Sequence, residues 1–135
     1  MVVIVYILIS YLCWSLAAIC NAITDTLIHH YYISIFYKPN NIENTKWTHF
    51  FNPQESKLPP TIIPFTKYKL DAWHVFKSLM IILQALSNGF MFLVGIEIVS
   101  LYSSVLSIFI LLVVYGIIWN GTFNLFYNRI LITKK

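Results

Sequence analysis

Three long stretches without a charged side chain constrain this chain more than any other feature. Residues 1–24 contain no Lys, Arg, Asp or Glu, residues 78–96 form a second such run, and residues 98–128 form a third. A helix that spans the hydrocarbon core of a bilayer needs about 20 mostly apolar residues. The runs therefore predict three membrane crossings, at about residues 2–23, 78–98 and 102–119.

Composition excludes the main alternatives to a membrane protein. Of the 135 residues, 59% are hydrophobic and only 10% are charged, whereas soluble domains are about 25% charged. With 9 basic and 5 acidic side chains, the chain cannot cover a water-soluble globule, so a soluble enzyme is excluded. An aromatic content of 17% also excludes a disordered chain. We predict a single all-α membrane domain over residues 1–135.

Helices that associate in lipid favour small and hydroxyl residues at their contacts. Residues of this kind that could form such contacts are Ser15, Ala17, Ala18, Ala85, Ser87, Gly89 and Gly95. The two amides of the second crossing, Gln84 and Asn88, are predicted to form interhelical hydrogen bonds rather than to line a pore.

The first apolar stretch resembles a secretory signal in only one respect, the small residue Ala18 close to Cys20. No Lys or Arg precedes the stretch, and it is longer than the apolar part of a signal peptide, so a retained helix is predicted. Cys13 and Cys20 lie seven residues apart. Two helical turns separate them by roughly 10 Å, which is beyond the reach of a disulfide.

The positions of the basic residues predict an orientation. All of them lie between the first two crossings, beside the second, or after the third: Lys38, Lys46, Lys57, Lys67, Lys69, Lys77, Arg129, Lys134 and Lys135. With three crossings these regions share one side, and Lys and Arg favour the cytoplasmic side. We therefore predict that the N-terminus lies outside and the C-terminus inside. The basic side chains are expected to contact lipid headgroups, and no cluster is dense enough to indicate nucleic acid.

Residues 25–77 form the only segment of soluble character. Its beginning continues the first helix, its middle contains turn-forming sequences such as Lys38-Pro39-Asn40-Asn41, and Leu70 returns the pattern to a helix. Its many aromatic residues suit the depth of the headgroups. The prediction is an irregular, aromatic-rich interfacial loop between helices 1 and 2.

Two acid–histidine pairs border that segment. His29 follows Asp25 by four residues and His74 follows Asp71 by three, so each pair shares one helix face. If the two helix ends pack together, the pairs could converge. A divalent metal could then bind His29, His30, Asp71 and His74, since imidazole and carboxylate are ligands for zinc or iron. Acid–base catalysis would draw on the set Asp25, His30, Asp71, His74 and Lys77.

The spacing of these pairs also fits a simpler role, an Asp–His hydrogen bond that stabilises a helix end, and we favour this interpretation. Glu97 is expected at the headgroup boundary near the outer end of crossing two. The C-terminal residues 120–135 either extend crossing three or form an interfacial helix. The spacing of Phe123, Phe126 and Ile130 is compatible with the interfacial helix.

Four stretches carry a resemblance to a known family. They are DTLIHHYYISIF, FFNPQES, LDAWHVFKSLM and GTFNLFYNRIL, in that order. Together they resemble a family of small, functionally uncharacterised integral membrane proteins of Bacteroidetes and associated phage and environmental sequences. The resemblance spans nearly the whole chain and implies membrane insertion and a shared site near His30, Asp71 and His74. It also implies a bacterial inner-membrane location, and it implies no reaction.

Three functions follow as hypotheses. The first is a non-catalytic scaffold or interaction protein that contacts the lipid bilayer, a membrane protein partner or further copies of itself. The second is a membrane-embedded, metal-dependent hydrolase acting on a lipid-linked substrate. The third is a holin-like phage pore, which the crossing number and basic tail fit but the long aromatic loop does not.

Overall fold

The computed structural model describes residues 2–37, 50–51, 71–102 and 105–133, and it shows three long α-helices. These are α1 (Val2–His29), α2 (Ala72–Tyr102) and α3 (Val105–Leu125). A short 3-10 helix, Tyr31–Ile33, follows α1, and one turn of π-helix, Phe126–Ile130, continues α3. Each long helix is apolar and long enough to cross a membrane. The predicted all-α membrane protein with three transmembrane helices is thus confirmed.

The first two helices extend beyond the predicted crossings on the side of the polar segment. The 28 residues of α1 span about 42 Å, against about 30 Å of hydrocarbon. Helix α2 begins at Ala72, which is more than one turn before residue 78, the predicted start of the second crossing. A helical flank is therefore present on each side, but α1 ends at His29 and a 3-10 helix follows it, so the predicted continuation of helix 1 through the stretch up to Tyr37 is shorter than expected. The interior of the loop, residues 38–49 and 52–70, lies outside the described residues.

The third crossing is longer than predicted, because α3 and its π-turn continue to Ile130. Of the two alternatives for this segment, the extension of the crossing is the one observed. Contacts between residues four apart stabilise it. The Asn120 side chain donates to the Gly116 carbonyl over 3.0 Å, and the rings of Phe123 and Tyr127 stack with their centroids 5.1 Å apart.

Helix α1 is the centre of the arrangement. It packs most extensively against α2 and next against α3, while α2 and α3 contact each other little. Contacts of Ser10 with Ser87 and of Leu27 with Ala72 show that α2 is antiparallel to α1. Trp14 stacks on Tyr115, and further along both helices His30 contacts Tyr127. The two contacts follow the same order along α1 and α3, so α3 runs parallel to α1.

Small residues occupy the helix contacts only in part as predicted. Ala17, Ala18 and Ser87 are fully buried, which lets the helix axes approach closely. Ala85 and Gly89, in contrast, lie on an exposed face of α2, outside the helix contacts within the protomer. Sequence spacing identified the small residues but not the side of α2 on which α1 would pack.

The chain after α1 is joined to the C-terminal segment. Ser34 and Ile132 form an isolated antiparallel bridge. The Ile35 N–H donates to the Leu131 carbonyl and the Thr133 N–H donates to the Ile33 carbonyl, each over 2.9 Å. This pairing joins the segment that follows α1 to the segment that follows the π-turn, at one end of the molecule.

Candidate functional site

Asp71 and His74 form a local pair at the beginning of α2. The Asp71 carboxylate accepts a hydrogen bond from the His74 backbone N–H over 2.8 Å, which is the geometry of a helix N-cap. His74 Nδ1 also lies 2.9 Å from one carboxylate oxygen and 2.8 Å from the other. The predicted Asp–His hydrogen bond at a helix end is therefore present.

The imidazole of this pair points away from the protein interior. The His74 side chain is 62% exposed, against 22% for Asp71. Its ring meets the neighbouring Trp73 edge-on, with centroids 4.9 Å apart. Lys77, one turn further along α2, is half-buried. Among the described residues, no hydrogen bond or ion pair joins Lys77 to Asp71.

The second set of candidates lies at the end of α1. The Asn21 amide donates to the Asp25 carboxylate over 3.3 Å, and Asp25 lies within electrostatic range of the Tyr127 hydroxyl. The His30 ring contacts Tyr127, with centroids 5.3 Å apart. His29, in the last turn of α1, is exposed. The π-turn that contains Tyr127 thus faces the end of α1, and π-turns occur frequently at functional sites.

The two sets are neighbours through apolar contact. Leu27 and Ala72 belong to one buried cluster with Tyr31 and Phe51. Within the described part of the chain, no hydrogen bond joins the α1 set to the α2 set, and no three His, Cys, Asp or Glu side chains are placed to hold one metal ion. Metal binding by His29, His30, Asp71 and His74 stays a prediction, as does acid–base catalysis by the catalytic set.

One polar atom near this site is unusual. Thr26 is fully buried, and its hydroxyl has no hydrogen-bond partner among the described residues. A buried hydroxyl without a partner is costly. Thr26 lies between Asp25 and Leu27. The end of α1 therefore places a buried polar group beside the apolar cluster that contains Leu27.

Sequence reasoning missed a second polar cluster, which lies within the crossings and joins all three helices. The Ser10 hydroxyl donates to the Ser87 carbonyl over 2.9 Å, and the Ser87 hydroxyl donates to the Ser10 carbonyl over 2.7 Å. The Tyr115 hydroxyl contacts both serine hydroxyls. We call Ser10, Ser87 and Tyr115 the hydroxyl cluster. All three residues are buried.

Aromatic contacts surround the hydroxyl cluster and attach α3 to α1. Trp14 stacks on Tyr115 with centroids 4.3 Å apart and an interplanar angle of 15°. Its indole N–H donates to the Tyr115 carbonyl over 3.0 Å, and its ring also contacts Trp119 at 4.8 Å. No sequence signal indicated this cluster, because Tyr115 lies close to the end of the predicted third crossing, near the headgroup depth that tyrosines prefer.

Comparison with known proteins does not assign a function to the chain, so any assignment rests on the geometry described above. No protein-family model, curated protein or solved structure matches the chain. The resemblance to small Bacteroidetes membrane proteins therefore stays a prediction.

Proposed function

We propose that the protein is a small multi-pass membrane protein of non-catalytic scaffold or interaction type. The Asp71 carboxylate carries this proposal, because it accepts the His74 backbone N–H over 2.8 Å and so closes the N-terminus of α2. This contact uses the carboxylate for a structural purpose. The contact of His74 Nδ1 with the same carboxylate supports the same interpretation.

Two substitutions at Asp71 separate a structural role from a chemical one. Asn caps helices as well as Asp does, whereas Ala does not. We expect Asp71→Ala to lower the free energy of unfolding in detergent by about 1 kcal/mol and to reduce the folded yield. We expect Asp71→Asn to retain both, and to retain the ability to rescue any phenotype of a gene deletion.

Loss of rescue by a fully folded Asp71→Asn variant would show that the carboxylate performs chemistry, and would overturn the proposal. Elemental analysis of protein purified without chelator is an independent measurement. Zinc or iron at one ion per chain would favour the metal-dependent hydrolase, and it would overturn a non-catalytic scaffold if its removal abolished function while the protein stayed folded.

The proposed scaffold presents its basic end to the cytoplasm of a bacterial cell and contacts anionic lipid headgroups or a partner there. The bridge between Ser34 and Ile132 supports this, because it joins the segment after α1 to the segment after Arg129 at one end of the molecule. Clustered Lys and Arg near crossings favour the cytoplasmic side and are attracted to anionic lipids.

Cysteine labelling tests the orientation. Both native cysteines are free and can be replaced by Ala, after which single cysteines are introduced at the exposed residues Val2 and Thr133. In intact cells, a membrane-impermeant maleimide should label Val2→Cys, and it should label Thr133→Cys only after permeabilisation. The reverse pattern would refute the orientation, and labelling of both in intact cells would refute three crossings.

A further inference from the structure

Two carboxamides lie near the middle of α2 and have no hydrogen-bond partner among the described residues. The crossing runs from Ala72 to Glu97, so Gln84 lies at its centre and Asn88 about 6 Å further along the axis. Asn88 is exposed and Gln84 is half-buried. Neither side chain makes a hydrogen bond within the part of the chain that the structure describes.

The other carboxamides of the crossings are satisfied within the protomer. Asn120 donates to the Gly116 carbonyl over 3.0 Å, and Asn128 donates to the Asn124 side chain over 3.1 Å. A carboxamide left unpaired in hydrocarbon is costly, because no water is present to replace the missing hydrogen bond. A partner from a second protomer would satisfy the Asn88 carboxamide.

The surface around Asn88 allows another helix to approach closely. Ala85, Asn88, Gly89 and Phe92 follow one another at helical spacing and are all exposed. A side chain added at Gly89 would meet no atom within 4 Å, so the space beside the α2 backbone is open. Helices in membranes associate through small residues four apart, such as Ala85 and Gly89.

We infer that this face of α2 binds the same face of α2 in a second copy of the chain, with the Asn88 carboxamides hydrogen-bonded to each other. A carboxamide is both donor and acceptor, so it is complementary to its own copy. Copies inserted in the same orientation are related by a two-fold axis along the membrane normal, which places Asn88 opposite Asn88. Since α1 carries the contacts to both other helices, this face of α2 is free for such a contact.

Energy transfer between donor- and acceptor-labelled protein in lipid vesicles tests the inference. The unmodified chain should show transfer above that of random co-localisation at high dilution in lipid. Asn88→Leu should weaken the association about three- to twentyfold, which is the range measured for interhelical hydrogen bonds in membranes. Gly89→Ile should abolish it, because the branched side chain would hold the two helices apart.

Matched variants on α3 provide the control. Gly116 is also exposed with open space around it, so Gly116→Ile and Asn120→Leu should leave energy transfer unchanged. Unfolding in detergent checks that all four variants remain folded. Three results would overturn the inference: no transfer by the unmodified chain, transfer undiminished by both α2 variants, or equal losses in the α3 controls.

Discussion

Replacement of Ser87 by Ile is expected to lower the free energy of unfolding by about 3 kcal/mol. Ser87 is fully buried, and its hydroxyl donates to the Ser10 carbonyl and contacts the Tyr115 hydroxyl. The substitution removes these bonds and leaves the Tyr115 hydroxyl with fewer partners. It also forces a larger side chain between helices whose separation is set by two serines. Reversible unfolding in mixed detergent micelles, followed by tryptophan fluorescence, measures the change.

The same substitution elsewhere on α2 provides the control. Ser78 is exposed, so Ser78→Ile should change the free energy of unfolding by less than about 0.5 kcal/mol. Ser87→Ala removes the hydroxyl without adding bulk and should cost about 1 kcal/mol. Equal effects of Ser78→Ile and Ser87→Ile would contradict the close α1–α2 contact.

The second large effect is expected at Trp14. Trp14→Ala should lower the free energy of unfolding by about 3 kcal/mol and detach α3 from α1. The ring of Trp14 contacts both Tyr115 and Trp119, and its N–H bonds the Tyr115 carbonyl. Because α2 and α3 contact each other little, α2 cannot compensate for the loss. Pair distances between spin labels on α1 and α3 would detect the separation.

Two further variants divide the contribution of Trp14 into its parts. Trp14→Phe keeps an aromatic ring but lacks the N–H donor, so it should cost about 1 kcal/mol. Leu12 is 60% exposed, and Leu12→Ala should be nearly neutral. A large loss of stability in Leu12→Ala, or none in Trp14→Ala, would show that α3 is attached to α1 by other contacts.

The candidate site was predictable within each helix but not between helices. The spacing of Asp71 and His74 placed them on one face, and the structure shows the predicted hydrogen bond. The spacing of Asp25 and His29 did not produce a hydrogen bond between them, because the Asp25 carboxylate accepts from the Asn21 amide instead. His30 contacts Tyr127, which lies far away in the sequence, in the π-turn after α3. Sequence separation limits what can touch along one helix, whereas contacts between helices depend on how each helix is rotated.

The sequence by itself determined three apolar helices long enough to cross a membrane, because a charge buried in hydrocarbon is costly. It also marked Gln84 and Asn88 as groups that need partners. Only the tertiary structure decided that α1 is central, that Ser10, Ser87 and Tyr115 meet, and that Asn88 faces outward. The apolar helices differ little from side to side, so hydrophobicity does not specify their facing surfaces. Individual small and hydrogen-bonding residues specify them, and only in combination.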